Sequence, residues 1–340
     1  MFSVLINSRD DNKYQQVKSA YEQVLAGENW ELIRIPDAKS MAEGYNRGFR
    51  SAHGEIVILS HDDAAPLRPC VGSKIRSHVQ KFDIIGGAGA DKLVGPQWFT
   101  AGLNHVFGQV LNIAPPQVDI GLGFQFQGDK CIIAGVRPGS VPSKHFLHPG
   151  MTVTHIYDKA ITSPADLSAA IQEAISKGGK NLRLTTNGQK DHLYLQYPDG
   201  FKPVQIYNLS VFGVPGRVVG GIHVLDGFWL ACKRGVLEKH PFDEVMCDSF
   251  HMYDVDWSYR AWQKGFKLGV ACDLNLGHAS TGGYNDPKWK IAADKWLIEY
   301  GPKLEVHKPY SYVLTSAFYE SMPQALVAMD EIVAHTERCK

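Results

Sequence analysis

Two adjacent carboxylates follow directly on an apolar run in the first part of the sequence. Residues 56–59 form a β-prone stretch, and His61, Asp62 and Asp63 come immediately after it. Aspartates are common in turns and at helix N-caps, so the pair has an ordinary structural interpretation. The functional interpretation is a divalent-cation site, because carboxylate oxygens together with substrate phosphates are the usual ligands of Mg²⁺ and Mn²⁺.

A second acidic group opens the helical pattern MYDVDWSYRAWQKG. Asp254 and Asp256 stand near its start, where carboxylates ordinarily complement the helix dipole by about 0.3–1 kcal/mol. Further along, His278 follows a short strand in the segment DLNLGHASTGG. A single histidine in such a loop is either a surface or hydrogen-bonded side chain or a ligand.

The elements that must position these side chains alternate between strands and helices. FSVLIN, WELIRIP and EIVILS are apolar, strand-like runs, and helical patterns separate them. Near-continuous apolar strands between helices predict an α/β fold with a mostly parallel sheet covered by helices on both faces. Ligands bind at the carboxyl ends of the strands in such sheets, which is where Arg9, Asp37 and residues 61–63 fall.

The alternation stops after the proline pair in NIAPPQVDIG. From residue 117 to about residue 197 the sequence is rich in strands and contains one helix. Ser163 is the expected N-cap of that helix, Pro164 lies in its first turn, and Gly178-Gly179 closes it. The earlier alternation resumes in GFWLACKRGVL, so the strand-rich segment interrupts a single α/β body.

These patterns predict a discontinuous body, a small β-rich insert and a C-terminal helical tail. The body comprises residues 1–115 and 200–305, the insert residues 116–199, and the tail residues 306–340. The tail carries apolar side chains at helical spacing, which predicts a helix that docks on the body. These side chains are Met322, Leu326, Met329 and Val333.

The order of the motifs resembles that of the GT-A glycosyltransferases, specifically the large inverting family-two type. The chain runs from an apolar strand to His-Asp-Asp, then to DGFWLACKR, to the acidic YDVDWSYR, and on to a glycine, a strand and a histidine. NRGFRSAHGEIVILSHDDA also looks like the family's stretch around its paired carboxylates. The resemblance covers residues 1–110 and 203–300, and it implies a hexosyltransferase-like, inverting enzyme that uses a nucleoside-diphosphate sugar.

The resemblance implies a role for each matching residue of this chain. Asp254 would be the general base towards the acceptor hydroxyl. The side chains that would hold Mn²⁺ or Mg²⁺ against the donor diphosphate are Asp63, Asp62 and His278. Those around the donor nucleotide are Arg9, Asp37 and Asn46, and those on the acceptor side are Asp226, Gly227 and Asp256.

Two departures from the family pattern leave assignments open. Many members carry an acidic residue where this chain has Ser-His before the carboxylate pair, so either Asp62 or Asp63 is the main cation ligand. Tyr253 stands where the family has an acidic neighbour of the base, so the base is Asp254 or Asp256.

The inserted segment resembles a PDZ domain along nearly its whole length. It carries Gly121-Leu122-Gly123-Phe124, the turns VRPGS and LHPGM, the hairpin THIYDKAITS, and one helix followed by the strand NLRLTT, in that order. The backbone N–H groups of Leu122, Gly123 and Phe124 are expected to converge on the terminal carboxylate of a peptide. The peptide would then add as a strand beside FQFQ.

The charge balance, the apolar runs and the cysteine pattern limit which partners and which cellular location are expected. The chain has 35 basic and 35 acidic side chains, so it offers no net charge to nucleic acid or to an anionic membrane. No apolar run approaches about 18 residues, so no membrane span is expected, and the first residues lack a signal-peptide pattern. Six scattered cysteines without a C-x-x-C pair predict reduced thiols and a cytoplasmic location.

Two functions of different class agree with these features. The first is a metal-dependent inverting transferase whose insert recruits the acceptor or a partner. The second is a non-catalytic PDZ-type adaptor on a degenerate sugar-nucleotide-binding body. The presence of Asp63, Asp254 and His278 in register favours the enzyme.

Overall fold

The computed structural model describes residues 1–69, 71–113, 117–118, 120–137, 139–145, 147–177, 179–186, 193–197, 200, 203–205, 207–280, 286–304, 315–319 and 321–338. The chain divides into two units, one formed by Met1–Ala114 with Ile206–Lys340 and the other by Pro115–Gln205. No helix in these described ranges is both long and apolar enough to cross a membrane.

The helices and strands are numbered in chain order. The helices are α1 Asp11–Val24, α2 Met41–Arg50, α3 Val71–Lys81, α4 Pro164–Ser176, α5 Arg234–Lys239, α6 Tyr253–Gln263, α7 Pro287–Tyr300 and α8 Met322–Arg338. The strands are β1 Phe2–Asn7, β2 Trp30–Ile35, β3 Ile56–Ser60, β4 Ala64–Pro66, β5 Ile84–Gly86, β6 Ala88–Ala90, β7 Val106–Ile113, β8 Gln117–Val118, β9 Leu122–Gln127, β10 Lys130–Val136, β11 Thr152–Ile156, β12 Lys159–Ala160, β13 Asn181–Thr186, β14 Leu193–Gln196, β15 Pro203–Val204, β16 Tyr207–Phe212, β17 Val219–Ile222, β18 Val224–Leu225, β19 Trp229–Lys233, β20 Leu268–Val270, β21 Leu276–His278 and β22 Thr315–Tyr319.

The main sheet of the first unit has seven strands in the order β17-β20-β5-β19-β3-β1-β2. β1 pairs in parallel with β2 and β3, and β5 pairs in parallel with β20. β19 lies antiparallel between β3 and β5, and β17 is antiparallel to β20. Therefore β2, β1, β3, β5 and β20 share one direction. The predicted α/β class is confirmed, and this sheet is mostly parallel.

Helices cover both faces of this sheet. Val4 and Ile6 of β1 belong to a buried cluster that also contains side chains of α1 and α3. Leu5, the residue between them, belongs to a second cluster with side chains of α2, α5 and α6. Successive side chains of a strand point to opposite faces, so the apolar run FSVLIN is buried on both sides.

Local capping explains where the first two helices begin. The Asp10 carboxylate accepts hydrogen bonds from the N–H groups of Asn12 and Lys13, and Ser40 Oγ accepts one from the N–H of Glu43. Such caps satisfy N–H groups that have no partner within the helix. They fix α1 and α2 directly after the carboxyl ends of β1 and β2.

A second seven-stranded sheet of the first unit was not predicted from the sequence. Its main path is β18-β6-β7-β16-β22, β21 pairs with β7, and β4 pairs with β21. α8 packs on this sheet, because Leu326 and Met329 share a buried cluster with Leu111 and Leu209. The predicted apolar face of the tail helix is confirmed, and Val333 on the same face is also buried.

The second unit is an antiparallel sheet in the order β14-β13-β11-β10-β9, with β12 on β11 and with α4. As predicted, Ser163 caps α4 by accepting a hydrogen bond from the N–H of Asp166, and Pro164 lies in the first turn. Gly178, the predicted helix end, lies outside the described residues. The short strands β8 and β15 pair near the two ends of this unit, with Gln117 opposite Val204.

Candidate active site

The turn after β3 positions the first group of candidate ligands. The buried Ser60 hydroxyl donates to the carbonyl of Ala64 at 2.7 Å, which closes the chain around residues 61–63. β21 pairs antiparallel with β4, and this register places His278 opposite Ala64. Strand pairing therefore brings His278 beside Asp63, although the two residues are far apart along the chain.

His61, Asp63 and His278 form one cluster that could hold a divalent cation. One ligand atom from each side chain lies within 4.8 Å of the other two. Nε2 of His278 is 3.3 Å from Oδ1 of Asp63 and 3.4 Å from Nδ1 of His61. Two imidazole nitrogens and one carboxylate oxygen fit a first-row divalent ion and leave coordination positions for a ligand or water.

The electrostatics of the cluster suit a cation. Burial acts to raise the pKa of the Asp63 carboxyl, but the hydrogen bond from His278 and the charges of both histidines outweigh it and hold that pKa well below its usual range. Burial, followed by the charge of His278, lowers the pKa of His61 to about 4. At neutral pH the carboxylate is ionised and the His61 ring is neutral, which are the forms that bind a metal ion.

Asp62 lies outside this cluster. Its Oδ2 accepts a hydrogen bond from Ser8 Oγ at 2.8 Å, at the carboxyl end of β1. Burial raises the pKa of Asp62. Of the two alternatives that the sequence leaves open, the geometry favours Asp63 as the main ligand.

The second group of candidate residues lies where α6 begins. Met252 precedes the helix in the left-handed conformation, with φ at 65°, and Tyr253 and Asp254 open the first turn. The N–H of Gly227 donates to Asp254 Oδ2 at 2.8 Å, and Tyr253 Oη donates to the carbonyl of Gly227 at 3.0 Å. The backbone of Gly227 is thus hydrogen-bonded to the side chains of both Tyr253 and Asp254, the first two residues of α6.

Asp254 sits in an environment that disfavours its charge. Burial, followed by the negative charge of Asp226, raises the pKa of Asp254 to about 7. Asp226 itself accepts hydrogen bonds from Trp98 Nε1 at 2.8 Å and from the N–H of Phe228 at 3.0 Å. A carboxyl group that titrates near neutral pH can take up a proton from a substrate, as a general base must.

Asp256 has a different environment from Asp254. Its side chain is fully buried, and Oδ2 accepts a hydrogen bond from Arg260 Nε at 2.7 Å. Burial also raises the pKa of Asp256. Asp254 lines the cavity described below, whereas Asp256 is fully buried and is not among the lining residues of that cavity, so the geometry favours Asp254 between the two candidate bases.

A cavity of about 430 Å³ within the first unit joins the two groups of residues. His61, His278, Asp226 and Asp254 all line it. The aromatic side chains that line it are Trp98, Phe99, Phe212, Phe228, Phe250 and Trp289. The lining also includes the polar side chains Asn112 of β7 and Asn208 and Ser210 of β16. The candidate cation cluster and the candidate base therefore face one space that a small molecule can enter.

The predicted donor-side residue Arg9 lies next to this cavity. Its Nη2 donates to the carbonyl of Ala38 at 2.6 Å, and its guanidinium lies 5.0 Å from the ring centre of Phe250, a cavity residue. Arg9 can therefore meet a ligand that extends past Phe250.

The other two predicted donor-side residues contact protein groups away from the cavity lining. Asp37 is exposed and pairs with Arg47 at 2.8 Å. The Asn46 amide donates to the carbonyl of Phe242 at 3.0 Å and to the carboxylate of Glu244 at 2.9 Å. The structure does not bring Asp37 or Asn46 to the cation cluster, and their donor role stays a prediction.

The predicted carboxylate-binding residues begin β9 in the second unit. Gly121 precedes them with φ at +76°, in the left-handed region that favours glycine. Leu122, Gly123 and Phe124 pair with β10, and the partly buried Leu122, Phe124 and Leu167 of α4 pack on one apolar cluster. Among the described residues of this unit, β9 is the last strand in the order of its sheet, and an edge of this kind can accept an added strand.

His61 and Tyr253 have no assigned role in the sequence patterns. In the structure, His61 supplies Nδ1 to the cation cluster, and its Nε2 lies 2.7 Å from Tyr253 Oη. The run His-Asp-Asp carried a signal for His61, since histidine and carboxylates together form metal sites. For Tyr253 the signal was its place beside the candidate base, where an acidic residue was expected.

Gly227 has no room for a side chain. A Cβ atom there would lie 2.4 Å from Tyr253 Oη and 2.6 Å from Asp254 Cβ. We expect Gly227→Ala to lower the free energy of unfolding by about 1–3 kcal/mol, because the start of α6 must move away, and urea denaturation measures this. Gly235→Ala in α5 is the control, since its nearest atom is 4.0 Å away, and it should leave stability equal or higher. Equal losses in both variants would contradict the steric explanation.

The matches among solved structures include a distant likeness to a mannosyltransferase. No protein family and no curated protein match the sequence. Among solved structures, the chain is similar to the mannosyltransferase PcManGT from Pyrobaculum calidifontis in complex with GDP-Man and Mn²⁺. The identity is 12%, the match covers 100% of this chain and 75% of that chain, and the TM-score is 0.35.

Proposed function

We propose that this protein is an inverting glycosyltransferase of the GT-A fold, which moves a sugar from a nucleoside-diphosphate sugar to an acceptor hydroxyl. One observation carries the proposal: the same cavity is lined by two histidines of the cation cluster and by Asp254, a partly buried carboxyl whose pKa is raised to about 7. The mostly parallel sheet and the order of the sequence motifs support the same family. Residues 1–115 and 200–305 are the proposed transferase domain.

Each group in the cavity has a part in the proposed step. Asp254 takes the proton of the acceptor hydroxyl, the hydroxyl oxygen bonds to the anomeric carbon, and the bond from that carbon to the diphosphate oxygen breaks. Attack from the face opposite the diphosphate inverts the anomeric centre. A cation held by His61, Asp63 and His278 would supply positive charge to the departing diphosphate.

The donor atoms of the cluster favour Mn²⁺ over Mg²⁺. Two of the three side chains are imidazoles, and Mg²⁺ prefers oxygen ligands in nearly ideal octahedral geometry. Asp63 supplies the carboxylate oxygen that suits Mn²⁺. Since imidazole also binds zinc well, Zn²⁺ belongs in the same test as a competitor.

A thermal-shift panel tests the proposal directly. Nucleoside-diphosphate sugars that differ in base and sugar are added with Mn²⁺, Mg²⁺ or Zn²⁺, or with EDTA. We expect one donor to raise the melting temperature in the presence of Mn²⁺, because a ligand at about 100 times its Kd stabilises the fold by about 2.7 kcal/mol. The same donor should release its nucleoside diphosphate slowly when Mn²⁺ is present. A panel with no cation-dependent shift for any donor would refute the proposal.

The second candidate function is peptide binding by the insert. The edge strand β9, which follows the left-handed Gly121, supports a PDZ-like site for a peptide C-terminus at residues 122–124. In the same panel, peptides with a free C-terminal carboxylate should stabilise the protein and their amidated forms should not. Donor binding without turnover across many acceptors, together with peptide binding, would favour the adaptor over the enzyme.

A further inference from the structure

The hydroxyl of Tyr253 lies between the cation cluster and the loop that holds the candidate base. Tyr253 is buried, and Oη lies 2.7 Å from His61 Nε2 and 3.0 Å from the carbonyl oxygen of Gly227. A phenol has one proton to donate and lone pairs that accept. A carbonyl oxygen only accepts, so the Tyr253 proton goes to Gly227. The Tyr253 oxygen must then accept from His61.

This donor order fixes the tautomer of His61. If Nε2 donates to Tyr253, Nε2 carries the proton of the neutral ring, and the lone pair is on Nδ1. Nδ1 is the atom that lies 3.4 Å from His278 Nε2. The lone pair of His61 is therefore on the ring nitrogen that faces the rest of the cluster.

We propose that Tyr253 is a positioning residue that holds His61 in its Nε2–H tautomer, so that Nδ1 joins Asp63 and His278 on one cation. The inference rests on the proposed function in one respect, namely that a cation binds at this cluster. Groups that hydrogen-bond to a metal-ligating histidine set its tautomer and ring orientation and raise its affinity. Tyr253 is such a group, and it is the neighbour of the candidate base.

The same hydroxyl links the cation cluster to the base. Gly227 accepts from Tyr253 at its carbonyl, and its N–H donates to Asp254 at 2.8 Å. A chain of hydrogen bonds therefore runs from His61 through Tyr253 and Gly227 to Asp254.

Tyr253→Phe tests the proposal because it removes only the hydroxyl. The aromatic ring of residue 253 packs against Tyr45 and Phe242, with ring centres 5.9 Å and 6.2 Å apart, and phenylalanine keeps these contacts. We expect the variant to bind Mn²⁺ about 10- to 100-fold more weakly than the parent protein. The measurement is a titration of the full chain in which the electron paramagnetic resonance signal of unbound aqueous Mn²⁺ is followed.

Tyr45→Phe is the matched control. Its hydroxyl is also buried and also donates to a carbonyl, that of Ser60 at 3.2 Å, but no hydrogen bond joins it to His61. The control should bind Mn²⁺ like the parent protein. Unchanged Mn²⁺ affinity in Tyr253→Phe, or an equal loss in both variants, would overturn the positioning role.

A second measurement separates this inference from the proposed function. The ¹⁵N resonances of the His61 ring, assigned by their loss in His61→Gln, report which nitrogen carries the proton without any metal. We expect the Nε2–H form in the parent protein and in Tyr45→Phe, and a mixture of both tautomers in Tyr253→Phe. The Nδ1–H form in the parent protein would overturn the inference. A parent protein that binds no Mn²⁺ would refute the cation site of the proposed function, and the ¹⁵N spectra would still decide the tautomer.

Discussion

Asp254→Asn is expected to lower turnover by about 10²- to 10⁴-fold while donor binding persists. Asparagine has nearly the same shape, and its Oδ1 can still accept from the N–H of Gly227, but it cannot take a proton from a hydroxyl. Initial-rate kinetics measure the loss of turnover, and the thermal shift with donor and Mn²⁺ measures binding. Full activity in this variant would contradict the assignment. Lost activity in Asp256→Asn, with Asp254→Asn active, would identify Asp256 as the base.

The pH dependence of the same pair of proteins checks the mechanism. Because a general base works in its deprotonated form, kcat/KM of the parent protein should rise with pH through about 7, the pKa of Asp254. The residual activity of Asp254→Asn should lack this rise. An identical profile in both proteins would assign the titration to another group.

The raised pKa of Asp254 also makes the free energy of unfolding depend on pH. The folded pKa of Asp254 lies above its ordinary value of 3.8, so the folded state binds more protons than the unfolded state between those two values. The stability that this group contributes is present below its ordinary pKa and is lost as the pH rises through about 7. In EDTA at pH 8, Asp254→Asn should therefore have a higher free energy of unfolding than the parent protein, as measured with urea.

Asp63→Asn is expected to abolish the response to Mn²⁺ and to lower transfer activity by about 10²-fold or more, since a bound cation contributes several kcal/mol to the stabilisation of a leaving group. The substitution keeps the shape of the side chain and removes the charge that faces His278 at 3.3 Å. Treatment of the parent protein with EDTA should reproduce the loss. Added Mn²⁺ should restore the parent protein and leave the variant inactive.

Asp62→Asn is the control for this second variant. Asp62 is the adjacent carboxylate, but its Oδ2 accepts from Ser8 at 2.8 Å and lies outside the cluster. We expect a smaller loss of activity and a retained response to Mn²⁺. If Asp62→Asn loses that response and Asp63→Asn keeps it, the main ligand is Asp62.

The parts of the fold that follow from local pattern could be predicted from the sequence. FSVLIN and EIVILS are mostly apolar, and they form the interior strands β1 and β3 of the main sheet. Ser163 and Pro164 mark the start of α4 through cap chemistry that involves only neighbouring residues. The position of residues 61–63 at a strand end follows from the same local reasoning.

The second sheet could not be predicted because its pairings are not local. In the sequence, β7 comes before the inserted unit and β16 comes after it. Neither strand has a local sequence pattern that identifies the other as its pairing partner. The cavity wall that carries Asn112 and Ser210 was missed for this reason. The separation of Asp62 from Asp63 was also out of reach, since it depends on the turn at Ser60 and on the pairing of β21 with β4.

The two pairings that flank the insert have a consequence for how the chain folds. In the first unit Ile113 pairs with Tyr207, and in the second unit Gln117 pairs with Val204, so each unit by itself draws together the same two stretches of chain. Closing a loop of about 90 residues in an unfolded chain has a logarithmic entropy cost of about 4 kcal/mol. When either unit folds first, it already brings these two stretches together, so the other unit no longer has to meet most of this entropy cost. The discontinuous body thus needs no slow search across the insert once the insert has folded.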